Sequence, residues 1–223
     1  MNALQTLAQA AGVAYAAGLN LYATVGIVGL ANRLGWIGPL PGGLEGLSNW
    51  WVIGVALTLM TIEFTASLIP AVASAWDTLH SLIRPPAAAA LAAATAWHGD
   101  PAFVLIAALL GGGLAVTTHT TKLGLRYAVD TSPEPISNGV TSVAELSLVT
   151  LLALTLWEHP YLALSFALVV LVVLIVVVRL IWRTLRQVLA GRWVPRRGFR
   201  QDARTSDRLG RRLDDDEEDA RTP

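Results

Sequence analysis

Through residue 178 the chain carries only four basic side chains, Arg33, Arg84, Lys122 and Arg126, and eight acidic ones. Soluble domains are about one-quarter charged. So sparse a supply cannot cover a water-facing surface of this size, but it suits a surface that faces lipid. The remaining charge is concentrated in the last 45 residues, where 12 Arg and 8 Asp or Glu accumulate from Arg179 onward. The formal net charge of zero therefore conceals a body of −4 and a tail of +4, and it says nothing about partners.

Hydrocarbon about 30 Å thick needs about 20 apolar helical residues to cross it. Six stretches qualify or nearly so: about Leu7–Leu34, Trp50–Ile69, Pro86–Trp97, Ala102–Tyr127, Ile136–Trp157 and Tyr161–Trp182. The third is short. Between them lie Pro39, Pro41, Gly42 and Gly43, then His98-Gly99-Asp100-Pro101, then Thr131-Ser132-Pro133-Glu134-Pro135, all poor helix continuers. Trp36, Trp50, Trp51, Trp97, Trp157 and Trp182 fall at span ends, where indoles favour the headgroup layer. The Arg-rich tail places the C-terminus in the cytoplasm, and six crossings place the N-terminus there too. Arg84, Lys122 and Arg126 then lie near cytoplasmic connections, in accord with the positive-inside rule. The expected location is the bacterial plasma (inner) membrane.

The expected class is thus all-α: a polytopic membrane bundle of about six spans over residues 1–190, followed by a disordered charged tail, 191–223. The tail's Arg196 and Arg197 suit anionic headgroups. Its acidic run, Asp214–Asp219, reads as solvated, with protein binding as the minority alternative. The residues from Met1 to Gln9 lack the basic region of a secretory signal. Echoes between the halves suggest a 3+3 inverted repeat: Gly18-Leu19 with Gly113-Leu114, Gly29-Leu30 with Gly124-Leu125, and Ser48-Asn49 with Ser137-Asn138. Chance matching in a Gly- and Leu-rich chain is the alternative. Many transporters place their site at the interface of such repeats.

Ionisable side chains inside a span are costly and persist only against protein, water or one another. Glu63 and Glu145 lie well inside the second and fifth spans, which suggests proton or cation sites. A protonated carboxyl bonding between helices is the structural alternative. The segment Pro70–Pro85 is too polar to span and too apolar for an ordinary loop. As a helix it carries Asp77, His80 and Arg84 on one stripe, with Leu79, Leu82 and Ile83 mostly on another. Such a helix lies flat on the surface or enters the body as a re-entrant element, and continuation through Pro85-Pro86 accounts for the short third span. Asp77 and His80 suit a shared proton or divalent cation, although two ligands are a weak metal signal. A salt-bridge set with Arg84 is the plainer alternative. His119, Lys122 and Arg126 repeat the same spacing beside the Thr117–Thr121 run. Gly111-Gly112-Gly113 interrupts that span as a close-packing site or a hinge. Asn20, Tyr22, Thr24 and Asn138 add uncharged hydrogen-bonding groups.

Absences narrow the chemistry. Without cysteine there is no disulfide or thiolate, and no phosphate loop, zinc-protease pair or serine elbow occurs. A hydrolase built on Asp77, His80 and Ser81 is the weakest reading.

Four motifs in order carry a resemblance: Gly18-Leu-Asn-Leu-Tyr-Ala-Thr24, Trp76-Asp-x-x-His80 with Ile83-Arg-Pro85, Thr118-His-x-x-Lys122, and Ser132-Pro-Glu-Pro-x-Ser-Asn138. Over about Ala11 to Arg183 the chain resembles the bacterial membrane family known as domain of unknown function 4126. That resemblance implies a multi-pass membrane protein and supplies no activity. It also implies more charge just before Ile69-Pro70, where this chain has Thr65-Ala66-Ser67, and so the loss of a salt bridge there.

The expectation that follows is a small secondary transporter or channel-like protein rather than an enzyme. Glu63, Glu145, Asp77 and His80 take protons or cations, and Asn20, Tyr22, Arg84, His119, Lys122, Arg126 and Asn138 line the solute path. Expected partners are the lipid bilayer, a second copy in a homodimer, and a small solute or ion, with no cofactor and no nucleic acid. The competing expectation is a non-transporting assembly or lipid-organising protein that acts through partner binding.

Overall fold

The computed structural model describes residues 2–130 and 135–189, all of whose regular elements are helical. In chain order these are α1 (Ala3–Leu19), α2 (Leu21–Arg33), a 3-10 helix (Gly42–Ser48), α3 (Trp50–Ser67), α4 (Pro70–Thr95), α5 (Pro101–Asp130), α6 (Pro135–Thr155) and α7 (Pro160–Leu189). Residues 1–179 form one compact unit, and a second begins at Leu180. The tail lies outside the described residues.

Three helical stretches are long and apolar enough to cross a membrane: Trp50–Ser67, Pro101–Arg126 and Pro160–Thr184. The other expected spans fall short of that criterion for distinct reasons. The first is broken at Asn20, whose extended backbone (φ −146°, ψ 103°) ends α1 and begins α2. Its side-chain Oδ1 accepts from Ala23 N at 2.9 Å, so an amide caps the new helix. In α4 the polar segment Pro70–Pro85 and the short third span merge, because the helix runs through Pro85 and Pro86 without a stop. Neighbouring helices make such prolines tolerable in a membrane setting. In α6 the apolar residues described are Gly139–Thr155, part of a 21-residue helix.

Small residues set the packing of α1, α4 and α5. Ala10, Ala14, Ala17, Ala88, Ala92 and Ala115 form a buried seam. Gly111 belongs to it: a Cβ there would meet Ala92 Cβ and come within 3.1 Å of Ala14 Cβ. The glycine run therefore serves close approach at Gly111, and α5 continues through it unbroken. A larger apolar cluster joins Val13, Tyr15 and Leu19 of α1 to Val149, Leu152 and Leu156 of α6 and to Ala163, Ala167 and Leu171 of α7. Trp157 is buried at 8 % exposure within this cluster, against its expected place in the headgroup layer. Trp36, Trp50, Trp51, Trp97 and Trp182 are exposed.

The polarity of α4 is inverted relative to a water-soluble helix. Asp77, His80 and Arg84 are buried while Leu79 and Leu82 are exposed. A helix lying on the membrane surface would turn its charges to water. Here the charged stripe faces protein, and the surface-lying reading of Pro70–Pro85 gives way to a helix built into the bundle.

Candidate functional site

Helical spacing puts Asp77, His80 and Arg84 on one face of α4, and the same spacing puts His119, Lys122 and Arg126 on one face of α5. The two faces meet. Glu63 of α3 and Glu145 of α6 complete a network of three carboxylates and three cations, with net charge zero when both histidines are neutral.

Arg84, wholly buried, ion-pairs with Glu63 through Nη2 and reaches Asp77 Oδ1 at 3.4 Å through Nη1. Lys122 Nζ donates to Glu145 Oε1 at 2.7 Å and stands 3.4 Å from Glu63 Oε1 and 3.7 Å from Asp77 Oδ1. It also donates to the Leu19 carbonyl at 3.0 Å. That carbonyl lies at the end of α1, where the Asn20 break leaves helix acceptors without intrahelical partners. Arg126 Nε lies 3.0 Å from Asp77 Oδ2. Asn20 Nδ2 donates to Glu145 Oε1 at 3.3 Å, so one residue both breaks the helix and touches the network.

The histidines hold definite roles, assigned from their hydrogen bonds. His119 Nδ1 lies 2.9 Å from Arg84 Nη1, an obligate donor, so Nδ1 accepts. Nε2–H is then the donor to Ser81 Oγ at 3.0 Å. Ser81 thus bonds His119 and the Asp77 carbonyl rather than His80. His80 donates from Nδ1 to the Trp76 carbonyl at 2.7 Å and accepts the Tyr22 hydroxyl at 2.9 Å, while its ring stacks on Trp76 at 4.6 Å. Both ring nitrogens are thus engaged by Trp76 and Tyr22 and not by Asp77. Among the described residues no cluster of three or more His, Cys, Asp or Glu is placed to hold a metal ion.

The network borders a cavity with about 20 Å³ open to water centres, room for about one water. Glu63, Asp77, Lys122, Arg126, Glu145 and Asn20 line it, with Trp76, Ser67 and Ser142. Among the described residues, Glu63 Oε2, Trp76 Nε1 and Arg126 Nη1 are buried there without a hydrogen-bond partner. Unmet acceptors and donors together suit a small group able to accept and donate.

Asn20, Glu63, Asp77, Arg84, His119, Lys122, Arg126 and Glu145 therefore belong to one connected set, and Tyr22 and His80 form a separate pair, its imidazole stacked on Trp76, which lines the same cavity. The Asn138 side chain lies outside the described residues. Arg84, Lys122 and Arg126 lie within α4 and α5 and are 0 %, 7 % and 5 % exposed. Three participants escape sequence reasoning. Ser67 and Ser142 bond each other at 2.7 Å, a neutral tie where the family resemblance implies a charged one. The Leu19 carbonyl has no side-chain signature at all.

Fold and site together define a helical protein with three helices long and apolar enough to cross a membrane and a buried, charge-balanced polar centre. The chain belongs to the family of domain of unknown function DUF4126, whose model matches residues 7–180. No curated protein and no solved structure matches it.

Proposed function

We propose that this chain is a small secondary transporter or channel-like protein that moves a small solute or ion, coupled to protons or cations through its buried carboxylates. The observation that carries this reading is convergence. Polar groups that served only to hold helices together would pair off at scattered contacts. Here three acids and two bases from α3, α4, α5 and α6 line one cavity at a helix break, and Arg84 of α4 ion-pairs with two of those acids. Transporters place sites at such interrupted helices, where freed backbone groups serve a ligand. The cavity's small volume corresponds to a closed state. In this reading all six sequence spans cross the inner membrane in a 3+3 inverted arrangement, both termini are cytoplasmic, and the protein works as a homodimer. Ser48-Asn49 immediately before α3 and Ser137-Asn138 in the first turn of α6 are in keeping with the repeat.

The test is proton flux in proteoliposomes, read with trapped pyranine after a pH step, in buffer and with a mixture of small polar solutes. Glu63→Gln abolishes flux in protein that remains folded, whereas Glu45→Gln, on the exposed 3-10 helix, leaves it unchanged. Equal flux in the parent and Glu63→Gln refutes the reading.

A lipid-organising or assembly role is the second reading, and one feature favours it. An apolar groove of about 690 Å³ runs between α2, α3 and α4, bounded by Tyr22, Val25, Trp51, Val55, Leu91 and Ala94. Absence of flux from the parent under every condition selects this alternative.

A further inference from the structure

The three carboxylates of the network are not equivalent. Glu63 and Asp77 each touch a guanidinium, Glu63 through Arg84 and Asp77 through Arg84 and Arg126. Among the described residues Glu145 has one cationic contact, Lys122, and one neutral donor, Asn20. Its side chain is also the most exposed of the three, 11 % against 5 % and 3 %.

A proton placed on Glu63 or Asp77 would strip a carboxylate from a buried arginine, which cannot release its own proton. A proton placed on Glu145 strips a partner only from Lys122, whose ammonium has Glu63 and Asp77 within 3.4 and 3.7 Å. An ammonium offers three protons, and four acceptors surround this one: Glu145, Glu63, Asp77 and the Leu19 carbonyl. Loss of the Glu145 charge shifts Lys122 toward the other two acids. Glu145 also stands at a seam. Ser142, Glu145 and Leu146 share one face of α6 and form its wall of the cavity. Polar ties across that wall include Glu145 to Lys122, Glu145 to Asn20, and Ser142 to Ser67.

We propose that the coupling ion is a proton taken by Glu145, and that its arrival releases α6 from Lys122 and opens the cavity to water. This rests on the transport reading for its purpose but not for its test. The proton passes from water to a Glu145 oxygen, and the network moves from neutral to +1. That charge is held by Lys122, Arg84 and Arg126 against Glu63 and Asp77.

The chain's lack of cysteine allows the latch to be read by single-cysteine accessibility without background. Ser142→Cys is labelled with a membrane-impermeant methanethiosulfonate, and its rate is divided by that of exposed Gly46→Cys to remove the thiolate's own pH dependence. Nothing meets an added Cβ at Gly46. From about pH 8 to about pH 4, a window that reaches the ordinary carboxylate range, the ratio rises. The expected rise is about tenfold, a modest population shift. Glu145→Gln holds the ratio at its high value throughout, and Glu63→Gln does not. Leu146→Cys reports the same wall if Ser142→Cys fails to fold. A ratio flat with pH in the parent, or a low ratio in Glu145→Gln, overturns the latch. Flux abolished by Glu63→Gln alongside a flat ratio removes the latch and leaves transport standing. A pH-gated ratio without any flux supports the latch and removes transport.

Discussion

Arg84→Met tests whether the six buried charges act as one balanced unit. Arg84 is 0 % exposed and links Glu63, Asp77 and His119. Its loss leaves three carboxylates facing two cations in a space that water barely enters. Breaking a buried pair by removing one partner costs about 3–5 kcal/mol. Glu63→Met makes the opposite imbalance at a similar cost, so independent effects would sum to roughly 6–10 kcal/mol. The double variant instead leaves Asp77 and Glu145 against Lys122 and Arg126, two of each sign. Its main residual loss is the unmet Nδ1 of His119, about 1–3 kcal/mol. For a chain of this length 1 kcal/mol moves the melting temperature by about 2–4 °C. Each single variant then melts about 6–20 °C below the parent, and the double only about 2–12 °C below it. Tryptophan fluorescence during heating of the purified protein reads all four species. A double variant that melts as low as the summed single losses would refute the balance argument, because it would mean that each charge is stabilised separately.

Two other predictions concern the backbone. Asn20→Ala removes the cap of α2 and the contact to Glu145, lowering stability by more than the roughly 1 kcal/mol of a cap alone. Asn20→Asp keeps the cap but sets a fourth carboxylate beside Glu145, so it is better tolerated at low pH than at high pH, as melting at the two pH values will show. Gly35 and Gly42 both hold positive φ, +72° and +59°. Alanine at Gly35 meets open space and costs about 1–2 kcal/mol of backbone strain. At Gly42 the added Cβ also collides with the Ala94 carbonyl, so Gly42→Ala melts clearly lower than Gly35→Ala.

Much of this protein is written locally. Scarcity of charge before Arg179 dictates a lipid-facing surface, since no arrangement of four basic side chains can solvate it. A spacing of three and seven residues dictates that Asp77, His80 and Arg84 share a face, as do His119, Lys122 and Arg126, because helical periodicity is a property of each segment alone. That these two faces meet was not decided by either segment. The Ala and Gly seam brings α4 against α5, and contacts between residues 38 to 125 positions apart then fix the partners: Ser81 with His119, Glu63 with Lys122, Asn20 with Glu145. The same distance effect explains the departures. A count of arginines and lysines treats Arg84, Lys122 and Arg126 as loop charges, because it cannot see the carboxylates that bury them. An apolar run treats Leu7–Leu34 as one span, because the break at Asn20 is sustained by Glu145 and Lys122 from elsewhere in the chain. Trp157 reads as a headgroup anchor until α1, α6 and α7 enclose it. Sequence sets which groups each helix offers; only packing decides which charge neutralises which, since burial makes an unpaired ion too costly to leave alone.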